Sequence, residues 1–541
     1  MKVNSQHAVD ELIANIKHHD LVKARLVLGH FSEIDPAQQR RILFELGRCE
    51  AVLAVPLMVL LLVKFDDIER QYPSLRENLL EKVASEPKVI YQYLKWVVPE
   101  QWFYIQLAGE LKLQGTVPFL VDLLTSSGDS KVIKGVLTAL GEIGDLSAVD
   151  AVGEFLFSAE MDVAYTAVEN IRLFDCSSTR KYLASALGRD ETMDLEIIDT
   201  LAACADELSI SALSKAMQSS TATVRNYSKG KLTALGALAV PQLVTNLGSS
   251  DHDLQIHSLN VLELIGSEAA LMPIRKLINS QPANANVRFA AFEALAALPM
   301  RKGDYVWSSG LTDRDSNVRV AAARAIETNF DSTLAVGVRN LVSRGGEEAE
   351  GIIRAILDCQ ARAIFLDLMQ QGIAMALIED YLIRVAHHEV RDYFLQVLLE
   401  GGFETLAEKI LLSEAEDGKE EKPIVCAVDD SKMILKIYRS VLNELGYEPM
   451  LFHNPEEALV WMSEHRPQLL CTDLNMPEMT GIELARAVRE HHTSSQMPII
   501  MVTTQDDKSD NSEAEAAGVD LIISKPFNSK KLGEAFATVG F

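Results

Sequence analysis

Positive charge is in short supply in this chain: 51 Lys and Arg stand against 77 Asp and Glu, for a formal net charge of −26 and a pI near 4.9. Such a field repels phosphate backbones and anionic lipid, whose binding needs clustered cations, so neither nucleic acid nor a membrane surface is expected as a partner. Cysteine is sparse too. The six, Cys49, Cys176, Cys204, Cys359, Cys426 and Cys471, are scattered with no C-x-x-C pair, which argues against a disulfide framework or zinc site and fits a reducing cytoplasm. Aromatic residues make up 6% while hydrophobic residues reach 48%, a balance that fits a packed helical protein and is too apolar for wholesale disorder. Long hydrophobic runs are missing as well. The best candidate, AVLAVPLMVLLLV at residues 51–63, is interrupted by Pro56 and falls short of the about 20 residues a membrane span requires; it reads as a buried helix face, and membrane insertion is not expected. The N-terminal MKVNSQHAVDELI has no apolar core or small-residue cleavage site of a secretory signal.

What is present is repetition. A length of 541 residues predicts two to four domains, or one long repeat array with an appendage. From Val117 one motif returns, as VPFLVDLL at 117, AVDAVGEFL at 148, TRKYLASAL at 179, SISALSKAM at 209, VPQLVTNL at 240 and LMPIRKLI at 271, at intervals of about 31 residues, a period that marks a solenoid. A second motif lies between the copies: DSKVIKGVLTALGEIGD, TATVRNYSKGKLTALGAL, NANVRFAAFEALAAL and DSNVRVAAARAI. Each repeat is therefore two helices. In the last copy Val318, Ala322, Ala325 and Ile326 form one stripe at helical spacing, and Ala321, Ala322 and Ala323 permit close approach of neighbours.

The Asp or Asn followed by Val-Arg and an Ala-rich helix resembles HEAT-like repeats. The resemblance covers residues 105–345 best; residues 1–104 and 346–412 keep helical periodicity without the motif and read as degenerate or capping repeats. Arg225, Arg288 and Arg319 recur at one repeat position. The expected role is structural, each pairing with an acidic or carbonyl group of the adjacent repeat, and no residue of the array 1–412 is assigned chemistry. Residues 413–422, within SEAEDGKEEKP, are charged and aperiodic, a solvated linker and a domain boundary.

From Ile424 apolar strands alternate with amphipathic helices: IVCAV, a helix 432–445, EPMLF, a helix 455–465, LLCTD, a helix 481–491, PIIMVT, a helix 512–517, LIIS, and a helix from Ser529. Five such units in residues 423–541 predict a doubly wound α/β domain with a flavodoxin-like parallel sheet, whose sites lie beyond the carboxyl ends of the strands. Asp429 and Asp430 follow strand one, Asp473 ends strand three, Thr503 ends strand four, and Lys525 and Pro526 end strand five. Carboxylates crowded at one edge call for a hard divalent cation, and Mg2+ takes carboxylates, a carbonyl, water and a phosphate oxygen. Asp473, central among these groups, is the candidate nucleophile for phosphoryl transfer, with Lys525 neutralising charge and Thr503 donating to a phosphoryl oxygen.

VDDS at 428–431, DLNMPEMTG at 473–481, VTT at 502–504 and SKPF at 524–527 resemble the receiver domain of two-component response regulators, over the whole of residues 423–541. The resemblance implies Asp473 as phosphoacceptor, Asp430 as direct Mg2+ ligand, Asp429 as ligand through water, the backbone carbonyl of Asn475 as a further ligand, Thr503 and Lys525 as the switch pair, and a cis Lys525–Pro526 bond. One departure stands out: receivers often carry Tyr or Phe three residues before the lysine, where this chain has Ile522. The readout then shifts to the segment after Thr503, including the acidic QDDKSDNSE at 505–513. Cys426 and Cys471 read as small core residues.

These readings predict a cytoplasmic response regulator that takes phosphate from a histidine kinase or phosphotransfer protein and presents the solenoid to a protein partner. The chain is expected to signal by binding, with no enzymatic output beyond turnover of its own phosphoryl group. Two alternatives come from other classes: a phosphorelay intermediate or phosphate sink, and an enzyme akin to the HEAT-like bilin lyases.

Overall fold

The computed structural model describes residues 5–298, 305–386, 388–414, 422–503 and 508–541, which form two compact units, Met1–Thr200 and Leu201–Phe541. The first unit is all-helical. Its run of apolar residues 51–63 forms the helix Ala51–Lys64, with Pro56 buried inside it. Among the described residues no helix is long and apolar enough to cross a membrane. The two repeated motifs take the expected form here, as helices Val117–Ser126 and Ser130–Ile143, the second capped by Asp129 and ended by Gly144 in the left-handed conformation (φ +71°).

In the second unit the first motif gives helices such as Glu207–Ala216, Val240–Asn246 and Leu271–Asn279. The second motif gives α1 (Ala222–Leu235), α3 (Ala285–Ala297) and α4 (Ser316–Thr328), and α2 (His252–Ile265) and α5 (Gly346–Asp358) continue the series. The Asp or Asn before several of these helices is a helix cap: Asp251, Asn284 and Asp315 each accept backbone N–H bonds from the first turn, satisfying donors that have no partner within the helix. Burial of α4 goes beyond the single predicted stripe. Val320, Ala321 and Ala323 are buried along with Val318, Ala322, Ala325 and Ile326, because the helix is packed against both α3 and α5.

The recurring arginines are structural, with one correction. Arg225, Arg288 and Arg319 each donate to the carbonyl six residues upstream, on Ser219, Pro282 and Asp313 at 2.7, 2.7 and 2.8 Å. The shared partner is thus the turn inside the arginine's own repeat. The second interaction of Arg288, a fork onto Asp313 at 2.7 and 2.9 Å, matches the expected acidic partner further along the array.

The C-terminal part of this unit is a five-stranded parallel sheet of order β2-β1-β3-β4-β5, as expected. The strands are β1 (Ile424–Val428), β2 (Glu448–Phe452), β3 (Leu469–Thr472), β4 (Ile499–Thr503) and β5 (Leu521–Ser524). Between and after them run α6 (Lys432–Glu444), α7 (Pro455–Glu464), α8 (Gly481–Arg489), α9 (Lys508–Ala516) and α10 (Ser529–Thr538). The inner strands β3 and β4 are buried throughout and β1 nearly so, while the edge strands β2 and β5 are half-buried, which is why the inner three read as continuous apolar runs. The helix expected at 512–517 begins earlier, at Lys508. Residues 504–507, with Thr504 and the start of the acidic 505–513 stretch, lie outside the described residues, as do residues 415–421 of the expected linker; the last helix before that linker is Glu404–Glu414.

Candidate functional site

The site is built where the sheet order reverses around β1 and β3, and Asp429, Asp473 and Lys525 are placed by ladder bonds that continue past the strand ends. The Asp429 amide donates to the Phe452 carbonyl at 3.1 Å and the Asp473 amide to the Val428 carbonyl at 3.0 Å, so both aspartates project beyond the same edge. The Lys525 amide likewise donates to the carbonyl of Thr503 at 2.7 Å, and the Lys525–Pro526 peptide is cis. Ser431 caps α6 while its amide donates to Asp429 Oδ1 at 2.9 Å. The loop after β3 turns at Glu478 (φ +67°) and re-enters helix at Gly481, whose amide donates to the Leu474 carbonyl at 2.9 Å. Thr480 and Glu483 close a capping box at that point, satisfying α8's first donors.

The Lys525 ammonium lies 2.6 Å from Asp429 Oδ2 and 3.2 Å from Asp473 Oδ2. Asp429, Asp430 and Asp473 can each offer an oxygen within 4.8 Å of the others. Burial pushes the Asp429 carboxyl up to about 7, with Asp473 and Asp430 adding to the rise and Lys525 opposing it; burial, then the charge of Asp473, raises Asp430 as well. Lys525 is itself buried, but the carboxylates, Asp429 foremost, outweigh that burial and hold it protonated. Three carboxylates against one ammonium leave uncompensated negative charge in a buried site, and an all-oxygen donor set of this kind fits Mg2+. Asn475 lines the same cavity as the three aspartates and Lys525, and Thr503 is buried at the end of β4. All the residues singled out in the sequence therefore meet at one edge. Cys426 and Cys471 are buried in their strands, burial pushes both thiols up, and Ile522 packs on the core of the sheet.

Residues 425–537 match the family model described as the response regulator receiver domain. Chemotaxis protein CheY1 of Helicobacter pylori (strain J99) is 38% identical over 114 residues, which are 21% of this chain and 92% of that protein. The chain belongs to the response regulator receiver family. The polar-differentiation response regulator DivK of Brucella anthropi is 32% identical over 104 residues, 19% of this chain and 85% of that one. Among solved structures, the chemotaxis response regulator CheY4 of Vibrio cholerae is 34% identical, covering 22% of this chain and 99% of its own, with a TM-score of 0.21.

The receiver edge that carries Asp473 does not open to solvent alone. It faces α1, α2, α3 and α4 of the helical array across a cavity of about 350 Å³. Three of its loops are each hydrogen-bonded to a different helix. After β3, Asn475 Oδ1 accepts from Arg225 and the Met476 carbonyl accepts from Asn226, both at 3.4 Å. After β1, the Ser431 hydroxyl donates to Glu293 at 3.2 Å. After β5, the Phe527 carbonyl accepts from Asn317 at 2.5 Å. A second set of contacts runs along α6, where Lys436 donates to the Cys359 carbonyl at 3.1 Å, Ser440 to Asp358 at 3.0 Å, and Arg439 pairs with Glu389 at 2.7 Å.

No array residue was expected from the sequence to take part in this site, and the structure brings several to it. Lys229 is half-buried on α1 and lines the cavity. Burial lowers its ammonium to about 8, Arg225 acts in the same direction, and Asp473 and Asp430 oppose both. Glu293 on α3 is raised to about 8, first by burial and then by the charge of Glu263. A signal existed: Lys229 follows Arg225 by one helical turn, where the equivalent residues after Arg288 and Arg319 are Phe292 and Ala323.

Proposed function

We propose that the chain is a two-component response regulator in which Asp473 accepts a phosphoryl group from a histidine kinase or phosphotransfer protein. Residues 423–541 act as the receiver, residues 413–422 as a linker, and residues 1–412 as a HEAT-like solenoid whose surface binds a protein partner in a cytoplasmic setting. The observation that carries this reading is the trio Asp429, Asp430 and Asp473, two of which, Asp429 and Asp473, are bridged by Lys525.

In the reaction an Asp473 carboxylate oxygen attacks phosphorus. A P–O bond to Asp473 forms as the donor's P–N bond breaks, and the bonding electron pair leaves with the donor imidazole. Lys525 stabilises the negative charge on the transferring oxygens, and the Thr503 hydroxyl donates to one of them. Asp429, Asp430 and the Asn475 carbonyl, with Asp473, would hold Mg2+, which when bound supplies charge neutralisation and Lewis-acid contact to a phosphoryl oxygen. The acquired group carries about −1.5 to −2 charges at neutral pH, enough to bias contacts between receiver and solenoid.

Incubation with acetyl phosphate and Mg2+, followed by intact-mass and peptide mapping, tests the assignment. The wild type should gain one hydroxylamine-labile phosphoryl group on Asp473, and Asp473→Asn should gain none. Equal labelling of the Asp473→Asn chain would overturn it.

A further inference from the structure

We propose that Lys229, on a helix of the array, is a second cation for the phosphoryl group on Asp473, so that the array itself reads the phosphorylated state. The inference rests on the reading of Asp473 as phosphoacceptor and adds a residue from outside the receiver fold.

Lys229 and Asp473 line one cavity, and the Lys229 ammonium feels the charges of Asp473 and Asp430. It has no hydrogen-bond or ion-pair partner among the described residues. An ammonium with three unsatisfied donors facing a partly enclosed space is arranged for an anion that arrives later. The cavity, at about 350 Å³, is roomy enough to admit a tetrahedral oxyanion, and Ile256, Val261 and Phe289 line it with apolar surface, which weakens dielectric screening and strengthens any charge pair formed inside.

Charge balance points the same way. With Lys525 paired to Asp429 and Asp473, a divalent cation cancels what remains of the three carboxylates. Conversion of the Asp473 carboxylate to an acyl phosphate then adds roughly one further negative charge. Lys229 is the cation positioned to meet it. Neighbouring contacts hold α1 in place, since Arg225 and Asn226, on the same helix, bond to Asn475 and Met476 in the acceptor's own loop. Formation of the acyl phosphate should therefore tighten the seat of the receiver on α1.

The experiment uses the full chain with Mg2+ and beryllofluoride, a phosphoryl mimic, bound fraction being followed by fluorine NMR, together with the lifetime of the acetyl-phosphate-derived label. Lys229→Met should weaken beryllofluoride binding and shorten the label's lifetime by tenfold or more, and Lys229→Arg should restore both to within about threefold of wild type. Mg2+ affinity of the Lys229→Met chain should stay equal or rise, because a repelling cation is gone; a merely structural lesion would lower both affinities together. Three results overturn the inference: unchanged or tighter beryllofluoride binding in Lys229→Met, a parallel loss of Mg2+ affinity in Lys229→Met, or failure of Lys229→Arg to recover. Absence of any label in the wild type would remove the phosphoacceptor reading and the inference with it, whereas a labelled wild type with an indifferent Lys229→Met chain removes the inference alone.

Discussion

Gly481 stands against the carbonyl of Asp473 so closely that a Cβ at position 481 would lie 1.9 Å from that oxygen and 3.2 Å from Thr472 Oγ1. The first residue of α8 thus needs to be glycine for the backbone of Asp473 to lie where it does. Gly481→Ala should displace the Asp473 backbone, cost about 1–3 kcal/mol of stability as overpacking does, and reduce acetyl phosphate labelling at least tenfold. Urea denaturation and intact-mass labelling measure the two effects, and normal labelling at reduced stability would show that the acceptor tolerates the shift.

Lys525→Met removes the ammonium that is bonded to both Asp429 and Asp473. Breaking a buried ion pair in this way costs about 3–5 kcal/mol. Folded-state carboxyls with raised values are stabilising below the ordinary carboxylate range and lose that contribution as pH rises toward about 7 for Asp429. The loss in melting temperature relative to wild type, in metal-free buffer, should accordingly be larger at pH 8 than at pH 5, and labelling of Asp473 should fall to background.

Glu293 offers a pH test within the array. Its folded value near 8 stands above the ordinary 4.5, so the folded chain binds the proton more tightly than the unfolded one. Its contribution is complete below about pH 4.5 and is lost as pH rises through about 8. Glu293→Gln, a permanent mimic of the protonated form, should raise the melting temperature at pH 8.5 and leave it nearly unchanged at pH 4.5 to 5. Equal shifts at both pH values would contradict a buried, proton-holding Glu293.

Asp313 is the shared anchor of two repeats, accepting the Arg288 fork through its carboxylate and Arg319 through its carbonyl. Asp313→Ala leaves Arg288 nearly buried without its carboxylate and should cost roughly 3 kcal/mol, while Asp313→Asn, which keeps one acceptor, should cost less. Guanidinium midpoints of the two variants give the comparison.

Much of the receiver was legible because its physics is local. Strands buried on both faces read as apolar runs, and Asp429, Asp473, Thr503 and Lys525 stand where those runs break. The repeats were legible through Asp251, Asn284 and Asp315, whose caps punctuate the helices. Lys229 and Glu293 were not, since what makes them part of the site is packing between segments far apart in sequence, 138 residues for Glu293 and Ser431 and 250 for Arg225 and Asn475, and no periodicity encodes that. The partners of the repeated arginines were misplaced for the opposite reason: a carbonyl six residues away leaves no mark in side-chain sequence.

Ser431, Met476 and Phe527 are tied to three separate helices of one stack, through Glu293, Asn226 and Asn317. Flexing of these helices would move the three anchor points by unequal amounts, so their relative placement and the spacing of the loops around Asp473 are coupled. A load that bent these helices would then reach Asp473 as a change in the spacing of its loops, much as a strain gauge registers the bending of the beam it is fixed to.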